Sequence, residues 1–424
     1  MEPRFLRRDS IRRLVRTDLE QLQLEKINSQ FDAILPENRF YADKLAEVEV
    51  PLGAISDLST LPFTFKDELL GGTPEGDYAR NLTYPLQDYV RFHRTSGTQG
   101  RPLVVLDTHA DWKWWIDAWQ YVLDVAELAP QDRAIMPFSF GPFIGFWSAF
   151  DAAADRGVLV APTGGMSTVA RLDLIRSQKA TVLFCTPSYA LHLAEKAAEN
   201  QIETRHLDVR CVIVAGEPGG SIPSIRQRIE EAWGASVVDH SGASEVGPWG
   251  FGDSDGQGLF INEHDFVAEF ISVETGKPAS EGELSELVLT SLGRLGSPVI
   301  RYRTGDLVRP TWNHDRDCRF VFLEGGVLSR ADDMMIIRGV NIFPSSIEQI
   351  LRSFPEVVEY RLTAIKSGAM DSIVVEIEDR LDRPERVATE LQLRLGLKIQ
   401  VDGVPLGSLP RFEAKGKRFI DQRK

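Results

Sequence analysis

Five short apolar runs, at residues 134–136, 157–160, 182–184, 212–214 and 236–238, recur with helix-compatible stretches between them. Strands this short and this uniformly apolar are buried on both faces, which requires helices packed on either side of a parallel sheet. The repeated unit is therefore βαβ, and the class is α/β. In an open parallel sheet ligands settle beyond the carboxyl ends of the strands, so the turns that follow these runs are where chemistry is to be sought. At 424 residues the chain also exceeds what one hydrophobic core usually supports, and two or more domains are expected.

The flanking regions read differently. Ile11, Leu14, Val15, Leu19, Leu22 and Leu24 fall at roughly helical spacing, predicting one or two amphipathic helices up to about residue 34. The arginines among them (Arg4, Arg7, Arg8, Arg12, Arg13, Arg16) alternate with acids and precede no apolar targeting core, so a solvated helix is expected rather than a transit peptide. Leu61-Pro62-Phe63-Thr64-Phe65-Lys66-Asp67 predicts an extended segment entering a short helix. Trp112, Trp115, Ile116, Trp119 and Val122 lie on one face of a helix opened by Thr108 to Asp111. Residues 257–324 turn strand-rich, with strands at 266–272, 284–290 and 319–323, and suggest an appended small sheet. Beyond Asp332 a βαββα order, with a capping box from Ser345 to Glu348, is long enough for a separate α+β domain. The expected architecture is a large multi-sheet α/β domain over residues 1–331 and a small α+β domain over 332–424, the boundary lying at Ala331 and Asp332.

A net charge of -14 and a pI near 5.1 argue against a nucleic-acid or anionic-membrane surface, leaving room only for a small, locally built anion site. No apolar run is long enough for a transmembrane span. Cys185, Cys211 and Cys318 are far apart and odd in number, which suggests neither a disulfide framework nor a cysteine zinc site and fits a reducing cytoplasm.

Four segments carry chemistry. Arg94-Thr95-Ser96-Gly97-Thr98-Gln99-Gly100-Arg101-Pro102 packs hydroxyls and glycines into one turn, as a phosphate cradle requires, although no Gly-Lys-Ser/Thr closes it as a Walker loop. Val212 to Val214 ends in the small-residue turn Ala215-Gly216-Glu217-Pro218, and the next strand ends in Ser241-Gly242-Ala243-Ser244-Glu245, a turn with one carboxylate suited to Mg²⁺ beside phosphates. In Arg301-Tyr302-Arg303-Thr304-Gly305-Asp306 the aspartate can accept both hydroxyls of a ribose, while the arginines read as phosphate-directed donors. Finally, residues 329–344 join a cationic arm to a glycine turn, and Lys415 and Lys417 stand on a glycine-containing loop near the C-terminus.

Together and in this order, these segments resemble the adenylate-forming superfamily of acyl-CoA synthetases, most closely its phenylacetate-CoA ligase branch, over residues 61–423. Thr186-Pro187-Ser188-Tyr189 and Leu61-Pro62-Phe63 match that branch in particular. The resemblance implies ATP-dependent conversion of a carboxylic acid, of the aryl or arylacetic class, to an acyl-adenylate with release of pyrophosphate, then transfer to coenzyme A. It implies ATP or AMP, Mg²⁺ and coenzyme A as cofactors, and is compatible with a homodimer. Carried over residue by residue, Thr95, Ser96, Gly97 and Thr98 would form the phosphate loop, and Ala215, Gly216, Glu217 and Pro218 the adenine loop. Asp306 would hold the ribose, with Arg330 on ribose or phosphate; Glu245 would bind Mg²⁺; and Asp332 would be the hinge. Lys415 matches the catalytic lysine, with Lys417 the second candidate. The acyl pocket would draw on Phe140, Phe143 and Trp147, for which plain core packing is the competing reading.

Two positions depart from the family pattern, Gln99 replacing a threonine and Ser241 an aromatic that stacks on adenine. Residues 246–300 hold His264 and no cysteine, so the structural zinc of some relatives is not expected. The sequence leaves open an acceptor other than coenzyme A, such as an amine or a carrier-protein thiol, and a degenerate nucleotide-binding protein without turnover.

Overall fold

A computed structural model describes residues 4–74, 76–95, 102–138, 141–331, 335–337, 340–367, 370–411 and 418–423. Helices α1 (Arg4–Ile11) and α2 (Arg16–Ile34) open the chain, followed by α3 (Arg39–Lys44) and the single turn α4 (Lys66–Leu69). The expectation of a solvated arginine-rich start needs correction. Arg8 and Arg16 reach the nearly buried carboxylates of Asp124 (2.6 Å) and Glu263 (2.7 Å), while Leu19, Ile27, Phe31 and Ile34 are buried. The N-terminal helices are thus docked by both apolar contact and ion pairs.

Strands β1 (Tyr89–Arg94) and β2 (Val104–Thr108) form an antiparallel hairpin, and α5 (His109–Val125) leaves it at once. Thr108 caps α5 as expected: its hydroxyl accepts from the Asp111 N–H, and the Asp111 carboxylate accepts from the Thr108 N–H (2.9 Å). The tryptophan face of α5 enters the core of the main sheet.

That sheet grows by β3 (Arg133–Met136), α6 (Ile144–Asp155), β4 (Leu159–Pro162), α7 (Thr168–Ser177), β5 (Val182–Cys185), α8 (Pro187–Glu199), β6 (Cys211–Val214), α9 (Pro223–Trp233) and β7 (Ser236–Ala243). Its parallel half has the order β4-β3-β5-β6-β7, a doubly wound arrangement whose strand order reverses beside β3. Four of the five expected runs are strands in it and β5 and β6 are buried throughout; the run at 157–160 enters a strand only from Leu159, and because β4 is an edge strand it stays partly exposed instead of being buried on both faces. From β7 the chain turns back antiparallel through β8 (Gly247–Gly252) and β9 (Gly258–Ile261).

A second, four-stranded sheet contains β10 (Phe266–Ser272), β11 (Ser285–Ser291) and β12 (Tyr302–Val308). The chain then revisits the main sheet with β13 (Pro310–Thr311) and β14 (Phe322–Glu324) before β15 (Ser329–Arg330) closes the second one beside β12. The strand expected at 319–323 therefore belongs to the main sheet, paired with β9, because Phe322 and Leu323 bury against its core.

The C-terminal part comprises the hairpin β16 (Met335–Ile337) and β17 (Val340–Ile342), α10 (Pro344–Arg352), β18 (Val357–Ser367), β19 (Met370–Asp379), α11 (Pro384–Leu395), β20 (Gln400–Gly403) and β21 (Phe419–Asp421). Its apolar cluster draws only on residues from Met335 onward, so it has a core of its own. The capping box expected at Ser345 does not form. Pro344 occupies the first turn, and Glu348 instead meets Arg352 and Tyr360. Taken together, the molecule is a large α/β part with several sheets and a smaller α+β part.

Candidate active site

The loops beyond the carboxyl ends of β3, β5, β6 and β7 lie along one edge of the parallel sheet; Thr186 to Tyr189 follow β5, Ala215 to Pro218 follow β6 and Glu245 follows β7. Thr95 stands at the neck of the loop that joins β1 to β2. Its N–H donates to the Leu103 carbonyl (2.9 Å) and its hydroxyl accepts from the Leu103 N–H (3.0 Å), so it ties the two ends of the loop together. Ser96, Gly97 and Thr98 lie outside the described residues. The Arg94 N–H donates to the Pro142 carbonyl (2.8 Å), which places this neck beside the turn after β3.

Two of the expected acyl-pocket residues stand where that turn enters α6. Trp147 donates its indole N–H to the Gly141 carbonyl (2.9 Å), whereas Phe143 stands half-exposed at the start of α6. Phe140 is outside the described residues. Deeper in, Trp119 packs on His240 with ring centroids 4.0 Å apart. His240 is buried and donates its Nδ1–H to the Gly250 carbonyl (2.7 Å), and burial pushes its pKa down to about 4, so it is neutral at pH 7. Its neighbour Asp239 is pushed up to about 6 by burial, partly offset by the Ser221 hydroxyl it accepts at 2.6 Å.

Ala215 continues from β6 through its N–H to the Cys185 carbonyl (3.2 Å), and Gly216 then adopts φ +90°, a backbone that side chains rarely take. The turn delivers Glu217 to the first turn of α8, where its carboxylate accepts the Ser188 N–H at 2.7 Å. The same carboxylate lies 3.5 Å from the Arg418 guanidinium of the C-terminal part, and Arg418 is itself held by Glu359 at 2.7 Å. Glu217 thus joins the expected adenine loop to the small domain, a role its sequence context gave no sign of.

Asp306 and Arg330 are cross-strand partners on β12 and β15, and the guanidinium donates to the carboxylate at 3.0 Å. Both keep exposed surface. Arg301 and Arg303, expected to serve phosphate, are committed elsewhere. Arg301 makes a bidentate pair with Glu269 (2.8 and 2.7 Å), donates to the Ser59 carbonyl and lies 4.1 Å over the Phe63 ring, while Arg303 pairs with Glu286. The Arg301 guanidinium thus ties the Ser59 and Leu61 backbone to the second sheet.

Glu245 sits in the β7–β8 turn with its carboxylate largely buried and 2.8 Å from the Lys66 ammonium. Lys66 was not among the expected site residues; its place in the 61–67 motif was the available signal. Among the described residues no group of three or more His, Cys, Asp or Glu is arranged to hold a metal. A lone carboxylate is nonetheless what Mg²⁺ takes when phosphates supply its other oxygens. Asp332 and Lys415 lie outside the described residues. No helix among the described residues is long and apolar enough to cross a membrane, and the three cysteines are free and buried.

Residues 56–282 match the model of the AMP-binding enzyme family, and residues 339–423 match that of the AMP-binding enzyme C-terminal domain. The chain belongs to the AMP-binding enzymes. It is 31% identical to the phenylacetate-coenzyme A ligase of Thermus thermophilus, over 97% of this chain and 98% of that protein. It is 33% identical to the Escherichia coli protein of the same name, over 87% of this chain and 86% of that one. Among solved structures, 2-hydroxyisobutyryl-CoA ligase in its postadenylation state, in complex with R3-HIB-AMP, superposes with TM-score 0.88 at 26% identity, covering 97% of this chain and 91% of that one. The same ligase in its thioesterification state superposes at only 0.71. This AMP-binding enzyme is therefore closer to the postadenylation arrangement.

Proposed function

We propose that the protein is an AMP-forming acid-thiol ligase that activates an aryl or arylacetic acid with ATP and passes the acyl group to coenzyme A. In the first half-reaction a carboxylate oxygen attacks the α-phosphorus of ATP and pyrophosphate leaves. In the second the coenzyme A thiolate attacks the acyl carbon and AMP leaves with the bonding electrons. The observation that carries this reading is the near-full-length similarity to phenylacetate-CoA ligases, which is supported by the Asp306–Arg330 pair at the strand edge.

In this reading Ala215, Gly216, Glu217 and Pro218 line the adenine, Asp306 accepts the ribose hydroxyls and Arg330 moves between Asp306 and the nucleotide. Thr95, Ser96, Gly97 and Thr98 donate to the phosphates. Glu245 would hold Mg²⁺, which when bound neutralises charge on the departing pyrophosphate. Lys66, whose ammonium lies 2.8 Å from the Glu245 carboxylate, would supply a second positive charge toward the phosphates. Lys415 aligns the carboxylate with the α-phosphate, and such transition-state contacts are typically worth about 10²-fold or more. Phe140, Phe143 and Trp147 face the aryl group, and Asp332 is the pivot at the boundary between residues 1–331 and 332–424.

Acid-dependent exchange of labelled pyrophosphate into ATP, run over a panel of arylacetic, benzoic and straight-chain acids, tests the reading. The highest specificity constant is expected for an arylacetic acid. Exchange with straight-chain acids alone would contradict the substrate class, and exchange with none would contradict the activity.

A further inference from the structure

Arg294 is an arginine with no exposed surface, and a buried guanidinium is retained only where its charge is balanced. Its partner is Asp107, equally buried, on the strand that returns from the phosphate-loop candidate. Nε donates to Asp107 Oδ1 at 2.8 Å, and Nη2 lies 2.7 Å from the same oxygen. Trp115 donates its indole N–H to that oxygen too (3.2 Å), and the guanidinium lies 5.2 Å over the Trp115 ring. The remaining nitrogen, Nη1, donates to two consecutive carbonyls, Ser244 (3.1 Å) and Glu245 (2.9 Å). One buried cation thus grips the backbone of the Glu245 turn at one end and the β2 strand at the other.

We infer that the Asp107–Arg294 pair is a positioning device that fixes β2, which runs on from the Thr95–Leu103 neck, against the Glu245 turn, and so sets how well Mg²⁺ and ATP phosphates are held together. The inference rests on the proposed role of Glu245. Neither side chain has exposed surface, so the pair acts through the backbone it holds. Lysine at 294 keeps the charge but has one nitrogen in place of a fork, and cannot serve Asp107 and both carbonyls in the same geometry.

The test is calorimetric titration of ATP into wild type and Arg294→Lys, each with Mg²⁺ and with EDTA, beside both half-reactions. The pair predicts that Arg294→Lys weakens ATP binding about tenfold in Mg²⁺, a loss of about 1.4 kcal/mol, and leaves it unchanged in EDTA. It also predicts a raised Mg²⁺ requirement for pyrophosphate exchange, with thioester formation from supplied acyl-adenylate unaffected. If Arg294→Lys does not fold, the uncharged pair Asp107→Asn/Arg294→Gln takes its place, with the same selective loss expected. Wild-type affinity in Mg²⁺, or an equal loss with EDTA and in both half-reactions, would overturn the inference. A wild type whose ATP affinity ignores Mg²⁺ would instead remove the metal role of Glu245, and the pair's role with it.

Discussion

Replacing Glu217 by glutamine removes the ion pair between the adenine loop and Arg418 of the small domain. Glutamine keeps an oxygen to accept the Ser188 N–H, so the start of α8 is preserved, while the attraction to Arg418 at 3.5 Å is lost. Coulomb's law at that separation, with an effective dielectric of about 20, gives roughly 5 kcal/mol as a ceiling. The net value is smaller, because Arg418 is already hydrogen-bonded to Glu359 at 2.7 and 3.0 Å and both partners are largely desolvated. About 1–2 kcal/mol remains, enough to shift a two-arrangement equilibrium roughly 5- to 30-fold. Dyes on cysteines introduced at Leu159 and Leu393, which are 65% and 77% exposed, report the arrangement by single-molecule energy transfer, since the native cysteines are buried. Glu217→Gln should deplete the arrangement described here and slow pyrophosphate exchange, without slowing thioester formation from supplied acyl-adenylate. Arg418→Gln added to it should shift the distribution no further. An unchanged distribution in a variant with wild-type melting temperature would refute the claim that this contact holds the domains.

Lys415→Ala should abolish pyrophosphate exchange and spare the second half-reaction; a larger loss from Lys417→Ala would reassign the catalytic lysine. Asp239→Asn should stabilise the protein at neutral pH. Burial raises the Asp239 pKa from 3.8 to about 6, so the folded state favours the acid form. The stability this gives is fully present below the unfolded value and is lost as pH rises through about 6. By linkage the gain of the variant is at most about 3 kcal/mol above that pH and vanishes near pH 4. Melting curves at both pH values check it, and a pH-independent difference would show that Asp239 is held ionised by its partners.

The parallel half of the main sheet was legible because strands buried on both faces leave no polar alternation, as in Val212, Ile213 and Val214. Likewise α5 announced itself through the Thr108–Asp111 cap and its tryptophan face. By contrast, β13, β14 and β15 are two or three residues long and exist only through distant partners, and a short run carries no period to read. The same limit applies to charge. Arg301 and Arg303 lie next to Asp306 in sequence and Arg330 lies beyond two further strands, yet of the three it is Arg330 that pairs with Asp306, because the first two are claimed by Glu269 and Glu286 on adjacent strands. Lys66 and Arg294 escaped notice for that reason: what gives each a role is a contact with the Glu245 turn, and sequence does not show which carboxylate or carbonyl a cation will find.

The most direct test of the proposed activity is a single reaction containing the protein, ATP, Mg²⁺, coenzyme A and phenylacetate, with AMP, pyrophosphate and acyl-CoA thioester quantified together by chromatography and mass spectrometry. The account predicts equal amounts of all three, each dependent on the acid, with phenylacetyl-adenylate accumulating when coenzyme A is withheld. AMP formed without thioester, ADP in place of AMP, or no turnover with any aryl acid would contradict it.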